Sequence, residues 1–206
     1  MATLAEAAVI ARSILAEFTH LDYKYADDRL LTPGNNAIKA IAIARPELFK
    51  VVGEIACIVN SVEQTLNPAD GSSLVDIHRI KNGAVVDKAD RMVMDRFKPG
   101  WAFEAAGPAR NWMSYQDDPM RFSIYPQAPS GQVLVGYYVL SPVTYTTSQT
   151  IILPATYLLP IAHYMCSETL LRGDDASLHP KASVFMAMFN NAMGVSDKEN
   201  DKRVGV

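Results

Sequence analysis

The sequence predicts an α+β fold in which helices from both ends of the chain build one bundle around an inserted antiparallel β lobe. Three observations carry it: helical apolar spacing over residues 3–44, a period of two broken by turn dipeptides over 51–140, and helical spacing again over 154–193. On these boundaries residues 1–50 and 150–194 make the bundle, 51–149 the lobe, and 195–206 a C-terminal extension. The 206 residues are 49% hydrophobic and 20% charged. Such a chain can bury a core without staples and is too apolar to stay disordered.

Residues 3–19 form the clearest helix. Leu4, Ala7, Ala8, Ala11, Ile14, Leu15 and Phe18 line one stripe, and Thr3 with Glu6 spells a capping box. A second helix is expected over 27–44, with Leu30, Leu31, Ala37, Ile38, Ile41 and Ala44 in register and Asp27 and Asp28 in the first turn. Pro33-Gly34 predicts a kink or a break there, because proline lacks an N–H and its ring meets the preceding turn. Arg45-Pro46 should end the segment.

In the middle, Ile55, Cys57 and Val59 alternate with their neighbours, and Asp70-Gly71, Asn82-Gly83 and Pro129-Ser130-Gly131 separate apolar runs. Residues 122–126 read as a strand and 133–140 as its hairpin partner, with one short helix over 89–97. Pro154 opens a helix whose broad face carries Leu158, Ile161, Ala162, Met165, Cys166 and Leu170. The last helix runs over 179–193 and stops at Gly194.

Composition excludes several function classes. A net charge of −3 is too balanced for a dedicated nucleic-acid binder. Two cysteines, Cys57 and Cys166, make neither a disulfide framework nor a thiolate zinc site, and fit a reducing compartment as small buried hydrophobes. No stretch reads as a membrane span; 150–167, the most apolar, is interrupted by Pro154, Pro160 and His163. His163 and Cys166 stand three apart on a helix but lack a second ligand pair, so packing explains them better than a metal. Asp117-Asp118 and Asp174-Asp175 fit turn and cap duty. There is no nucleophile elbow, phosphate loop or dinucleotide fingerprint, so neither enzyme activity nor a cofactor is expected. A small hydrolase using Asp118 with His163 is the enzymatic rival. Residues 76–110 carry seven basic and five acidic side chains, too even a mixture for a nucleic-acid stripe, and read as a solvated face.

One stretch stands out. Residues 122–167 form 46 consecutive positions without Asp, Glu, Lys or Arg, and hold six of the nine tyrosines: Tyr125, Tyr137, Tyr138, Tyr145, Tyr157 and Tyr164. Charge depletion with tyrosine enrichment marks interface cores and favours burial by neighbouring subunits. Burial inside the chain is the other reading. Tyr125, Tyr137, Tyr138, Tyr145 and Tyr157 are the candidate interface residues. If they faced a ligand instead, the chain would be a receptor- or glycan-binding component.

An ordered series of short motifs runs through residues 20–194: Arg45-Pro46, then Gln64-Thr65-Leu66-Asn67-Pro68-Ala69-Asp70-Gly71, Asp90-Arg91, Pro99-Gly100-Trp101, Asp118-Pro119-x-x-Phe122-x-Ile124-x-Pro126, Ser141-Pro142 and Leu153-Pro154-Ala155-Thr156-Tyr157. In order and spacing it resembles the head-to-tail adaptors of short-tailed bacteriophages, the tail tubular protein A group; Pro33-Gly34 departs from their pattern. The resemblance implies a non-enzymatic virion protein, assembled in the host cytoplasm. It implies a ring, typically of twelve copies, built around the helical bundle between the portal protein and the tail nozzle protein. Genomic DNA would pass through it without sequence-specific binding. A subunit at −3 suits a neutral to negative bore, since many Lys and Arg contacts would hold DNA rather than let it slide. The resemblance also implies a portal contact through the C-terminal extension, with Val195, Lys198, Lys202, Arg203, Val204 and Val206 as its candidate residues.

Overall fold

A computed structural model describes residues 2–19, 27–173 and 176–194. The chain divides into two compact units, one from residues 1–48 with 142–206 and the other from Phe49–Ser141. The first is helical and discontinuous in sequence; the second carries all the strands. This is the α+β arrangement, with helices from both termini and the β segment inserted between them.

In the helical unit, α1 (Leu4–Thr19) starts at the capping box: Thr3 N donates to Glu6 Oε2 at 3.0 Å and Glu6 N to Thr3 Oγ1 at 3.3 Å. α2 spans Asp27–Ala44 without interruption, so the break expected at Pro33-Gly34 is absent. A packing reason explains the dipeptide. Pro33 and Gly34 are buried, and a Cβ at Gly34 would collide with Met165 Cε and press on Leu4. The glycine is what lets α2 lie close against its neighbours. α4 (Leu158–Leu171) follows a 3₁₀ turn, Ala155–Tyr157, and holds Pro160 in its first turn. α5 (His179–Met193) ends at Gly194, whose left-handed backbone (φ 73°) sends its N–H back to Asn190 O and Asn191 O. Leu4, Ala7, Ala11, Leu30, Ala37, Ile38, Ile41, Ile161, Ala162, Met165 and Leu170 are buried together in this unit's interior. Residues 142–151 form neither helix nor strand, turn at Thr147–Ser148, and are tied to the start of the chain: Ala5 N donates to Thr147 O, and Ile151 N to Ala2 O.

The β unit holds two sheets. In the first, β7 (Val133–Leu140) lies between β1 (Lys50–Ala56) and β3 (Gly71–Ile80), antiparallel to both. In the second the order is β2 (Glu63–Thr65), β6 (Arg121–Tyr125), β5 (Asn111–Ser114) and β4 (Asp87–Lys88). The β4–β5 pair is parallel and the other pairs in this sheet are antiparallel.

The hairpin expected between 122–126 and 133–140 is therefore not formed. β6 and β7 belong to different sheets, and both edges of β7 are already taken by β1 and β3. Pro126 cannot continue a ladder because it has no N–H. The bend at Pro129–Gly131, where Gly131 has φ 76°, sends the chain to the other sheet instead. Ile55, Leu66, Ile77, Trp112, Phe122, Ile124, Leu134 and Tyr138 meet in the core between the strands. The short helix appears as α3 (Arg91–Phe97), capped by Asp90, whose side chain accepts from Met92 N and Val93 N.

Candidate functional site

Several of the motifs singled out in the sequence turn out to be joints of the β unit. Gln64 is buried and clamps the β1–β2 loop: its Oε1 accepts from Ile58 N at 2.6 Å, and its Nε2 donates to Ser61 O at 2.8 Å and Ile58 O at 3.1 Å. Asn67 Nδ2 donates to Ala56 O, and Gly71 N to Pro68 O. Asp118 Oδ1 accepts from Met120 N and so fixes the turn before β6. That turn then ties two other segments down, because Leu66 N donates to Met120 O and Leu74 N to Pro119 O, both at 2.8 Å. Phe122 and Ile124 follow with side chains in the core.

The two residues of the enzymatic rival have turn and packing contacts of their own. Asp118 is engaged in its turn in the β unit, while His163 belongs to the helical unit, stacked on Phe185 at 6.0 Å. Burial holds the His163 imidazole below its usual range, and its Nδ1 has no hydrogen-bond partner. Cys166 Sγ points at Ala11 O, and burial pushes its thiol up to about 12, the opposite of what a nucleophile or metal ligand needs. Among the described residues, no group of three or more His, Cys, Asp or Glu could hold a metal ion. Asp174 and Asp175 lie outside the described residues.

The candidate interface tyrosines separate into two groups. Tyr125 and Tyr138 are only 6% and 8% exposed, and the β unit itself buries them. Tyr125 meets Trp101 and Met113, its hydroxyl donating to Glu104 Oε2 at 2.6 Å and also meeting Lys98 Nζ. Tyr138 packs in the inter-strand core, and burial followed by the charge of Asp70 raises its hydroxyl above the ordinary value. For these two, internal packing accounts for the burial that the sequence assigned to neighbouring subunits. Alternation along a strand is the cause: Tyr137 and Tyr138 are adjacent and point to opposite faces.

Tyr137, Tyr145 and Tyr157 stay half-buried. Tyr137 lies on the sheet's outer face, with Lys50 Nζ 4.1 Å from its ring centre and the His78 ring 4.5 Å away edge-on. Val52, exposed, is its cross-strand neighbour on β1. Tyr145 is held through its backbone by Asn35. Tyr157 lies in the helical unit within the field of Arg45, whose guanidinium is raised chiefly by its hydrogen bond with Glu47. The six extension residues, Val195, Lys198, Lys202, Arg203, Val204 and Val206, lie outside the described residues.

One exposed surface was missed in the sequence. α3 buries none of its residues, and Met92 and Phe97 are each 77% exposed, with Phe103 just beyond at 88%. Large apolar side chains left this exposed are candidates for contact with a partner. The available signal was a short helix bearing Met92, Val93 and Phe97 among charges, beside the Pro99-Gly100 stop.

The sequence model of the SU10 adaptor protein family matches residues 3–205. The chain belongs to the SU10 adaptor protein family. The adaptor resemblance carried by the ordered motifs thus holds over nearly the whole chain. Among solved structures, a chain from the neck of an empty GTA particle, computed with C6 symmetry, is similar at 20% identity; 85% of this chain and 84% of that one are covered, with a TM-score of 0.31. No curated protein matches the chain. No described helix of this adaptor is long and apolar enough to cross a membrane.

Proposed function

We propose that this adaptor is a non-enzymatic, cofactor-free structural subunit of the virion. In this reading copies form a ring, twelve in the pattern of the resembling connectors, that joins the portal protein to the tail nozzle protein and lines part of the DNA channel. Assembly takes place in the host cytoplasm. Family membership over residues 3–205 is the observation that carries the reading.

Physical features support it. The half-buried Tyr137, Tyr145 and Tyr157 belong to a stretch without formal charge, and the exposed Met92, Phe97 and Phe103 supply apolar area beyond it. The net charge of −3 disfavours a tight grip on passing DNA. The helical unit, built from both termini, is the ring-forming part. Residues 195–206, with Val195, Lys198, Lys202, Arg203, Val204 and Val206, form the portal contact.

Negative-stain images of the purified chain and of intact particles test the reading. The expected result is a ring with a central channel at the head–tail junction; a monomer in both settings overturns it. Truncation after Gly194 should abolish docking onto portal-bearing particles while leaving the ring intact, and unchanged docking would remove the extension from the proposal.

A further inference from the structure

β1 is an edge of the three-stranded sheet, with β7 on one side only. Opposed residues in an antiparallel ladder alternate between bonded and unbonded pairs. Cys57 N donates to Gln132 O at 3.0 Å, the step just beyond the pair Ala56 and Val133, so Val51, Gly53 and Ile55 are the residues that bond to β7. Lys50, Val52, Glu54 and Ala56 turn their N–H and C=O groups the other way. Ala56 O is met from outside by Asn67 Nδ2 at 2.9 Å. Among the described residues nothing bonds to the outward backbone of Lys50, Val52 or Glu54. Such an edge is a template for another strand, and proteins blunt it with proline, a bulge or short length. β1 has none of these: it is seven residues long, contains no proline, and keeps an unshifted register with β7. The other edges are less open. β2 and β4 have three and two residues, and β3 carries three register shifts, with Leu74 N already donating to Pro119 O.

The side chains along this edge complement themselves. Lys50, Val52 and Glu54 alternate onto one face of the strand, and all three are exposed. Lys50 Nζ lies 4.1 Å from the Tyr137 ring centre and meets no carboxylate among the described residues. Glu54 holds Lys81 through Oε2 at 2.8 Å, an exposed pair that leaves Oε1 open. Two β1 strands set antiparallel about a twofold axis at Val52 bring Lys50 of each copy opposite Glu54 of the other, with Val52 facing Val52. The same alignment makes every outward residue a bonded pair, so the backbone and the charges select one register. A slide of one residue turns the backbone groups out of phase, and a slide of two separates the charges.

We propose that β1 pairs antiparallel with β1 of a second copy of this chain, joining two three-stranded sheets into one of six strands. The contact is twofold and uses the same patch on both copies, so it forms a pair and stops there. Neighbours in a ring meet head to tail through two different patches. The β1 pair is therefore a separate contact, and it covers the exposed edge in the free chain before a ring is built. It does not rest on the adaptor reading.

The test is sedimentation of the full purified chain over a concentration series, where a species of two copies should grow with concentration. Val52→Pro should abolish it, because proline removes the N–H given across the axis yet is tolerated where a strand faces solvent. Lys50→Glu and Glu54→Lys should each weaken pairing about tenfold, since each sets like charges opposite one another at two places. An equimolar mixture of these two variants should pair as the unaltered chain does, because each finds its opposite in the other. Misfolding of either variant cannot produce that rescue. A chain that stays single throughout the series, or forms rings without a paired species, overturns the proposal. So does pairing that survives Val52→Pro, or a mixture that associates no better than its components. Rings at the head–tail junction are read from particle images, so failure of the pair and failure of the adaptor reading are distinguishable.

Discussion

The side-chain amide of Asn35 grips the backbone of Tyr145 with both of its polar atoms: Tyr145 N donates to Asn35 Oδ1 at 2.7 Å, and Asn35 Nδ2 donates to Tyr145 O at 3.0 Å. The same Nδ2 also reaches Leu31 O, one turn back on α2. A buried helix residue thereby acts as a strand would, anchoring the irregular segment around Tyr145. Asn35→Ala should cost about 2–3 kcal/mol, because it leaves buried backbone groups unpaired. Asn35→Asp should cost at least as much, since it loses the donor and buries a charge. Urea unfolding of both variants checks this.

Gly136 allows two strands to meet. A Cβ there would strike the backbone oxygen of Asp76 and come within 3.3 Å of Ile77 Cα, and backbone atoms cannot swing aside. Gly136→Ala should therefore destabilise the chain by about 1–3 kcal/mol and Gly136→Val by more. The measurement is the thermal midpoint of each variant.

Tyr125→Phe removes the hydroxyl shared with Glu104 and Lys98. Since this ring is packed inside the β unit, the variant should lose about 1 kcal/mol of stability. Its assembly should be unaffected. Tyr137→Ala should do the reverse, weakening assembly more than folding. Sedimentation paired with urea unfolding separates the two effects.

The two thiols should differ in reactivity. Burial pushes both up, Cys166 to about 12, and Cys166 is fully buried where Cys57 is half-buried. Iodoacetamide at mildly alkaline pH should modify Cys57 slowly and Cys166 only after unfolding, as read by mass spectrometry of timed samples.

His163 gives the fold a pH dependence of known sign. Its folded value is held by burial below the ordinary 6.5, so the unfolded chain takes up the proton more readily. The contribution is complete above about 6.5 and declines as pH falls below it toward the depressed value. His163→Gln should shrink the loss of stability between about pH 7.5 and about pH 5.5, measured by urea midpoints.

Local signals were legible in the sequence because one or two residues determine them. Thr3 with Glu6 and the stop at Gly194 both form as their chemistry requires. At Pro33-Gly34 no break forms, because propensity describes the isolated helix, whereas Met165 and Leu4 decide the need for glycine. Strand pairing was misread because β7 finds its partners far along the chain, at β1 and β3, rather than next to it. The tyrosines show a third limit. Counting them located a charge-free region, but facing alternates residue by residue, so the count could not separate Tyr138 in the core from Tyr137 outside it.

The central position of β7 also bears on biosynthesis. β1 and β3 leave the ribosome well before the strand that must lie between them, and α1 and α2 precede the helices that cover them by a still longer interval. The β unit can close only once β7 has emerged, so until then nascent chains carry unpaired strand edges that are open to mispairing.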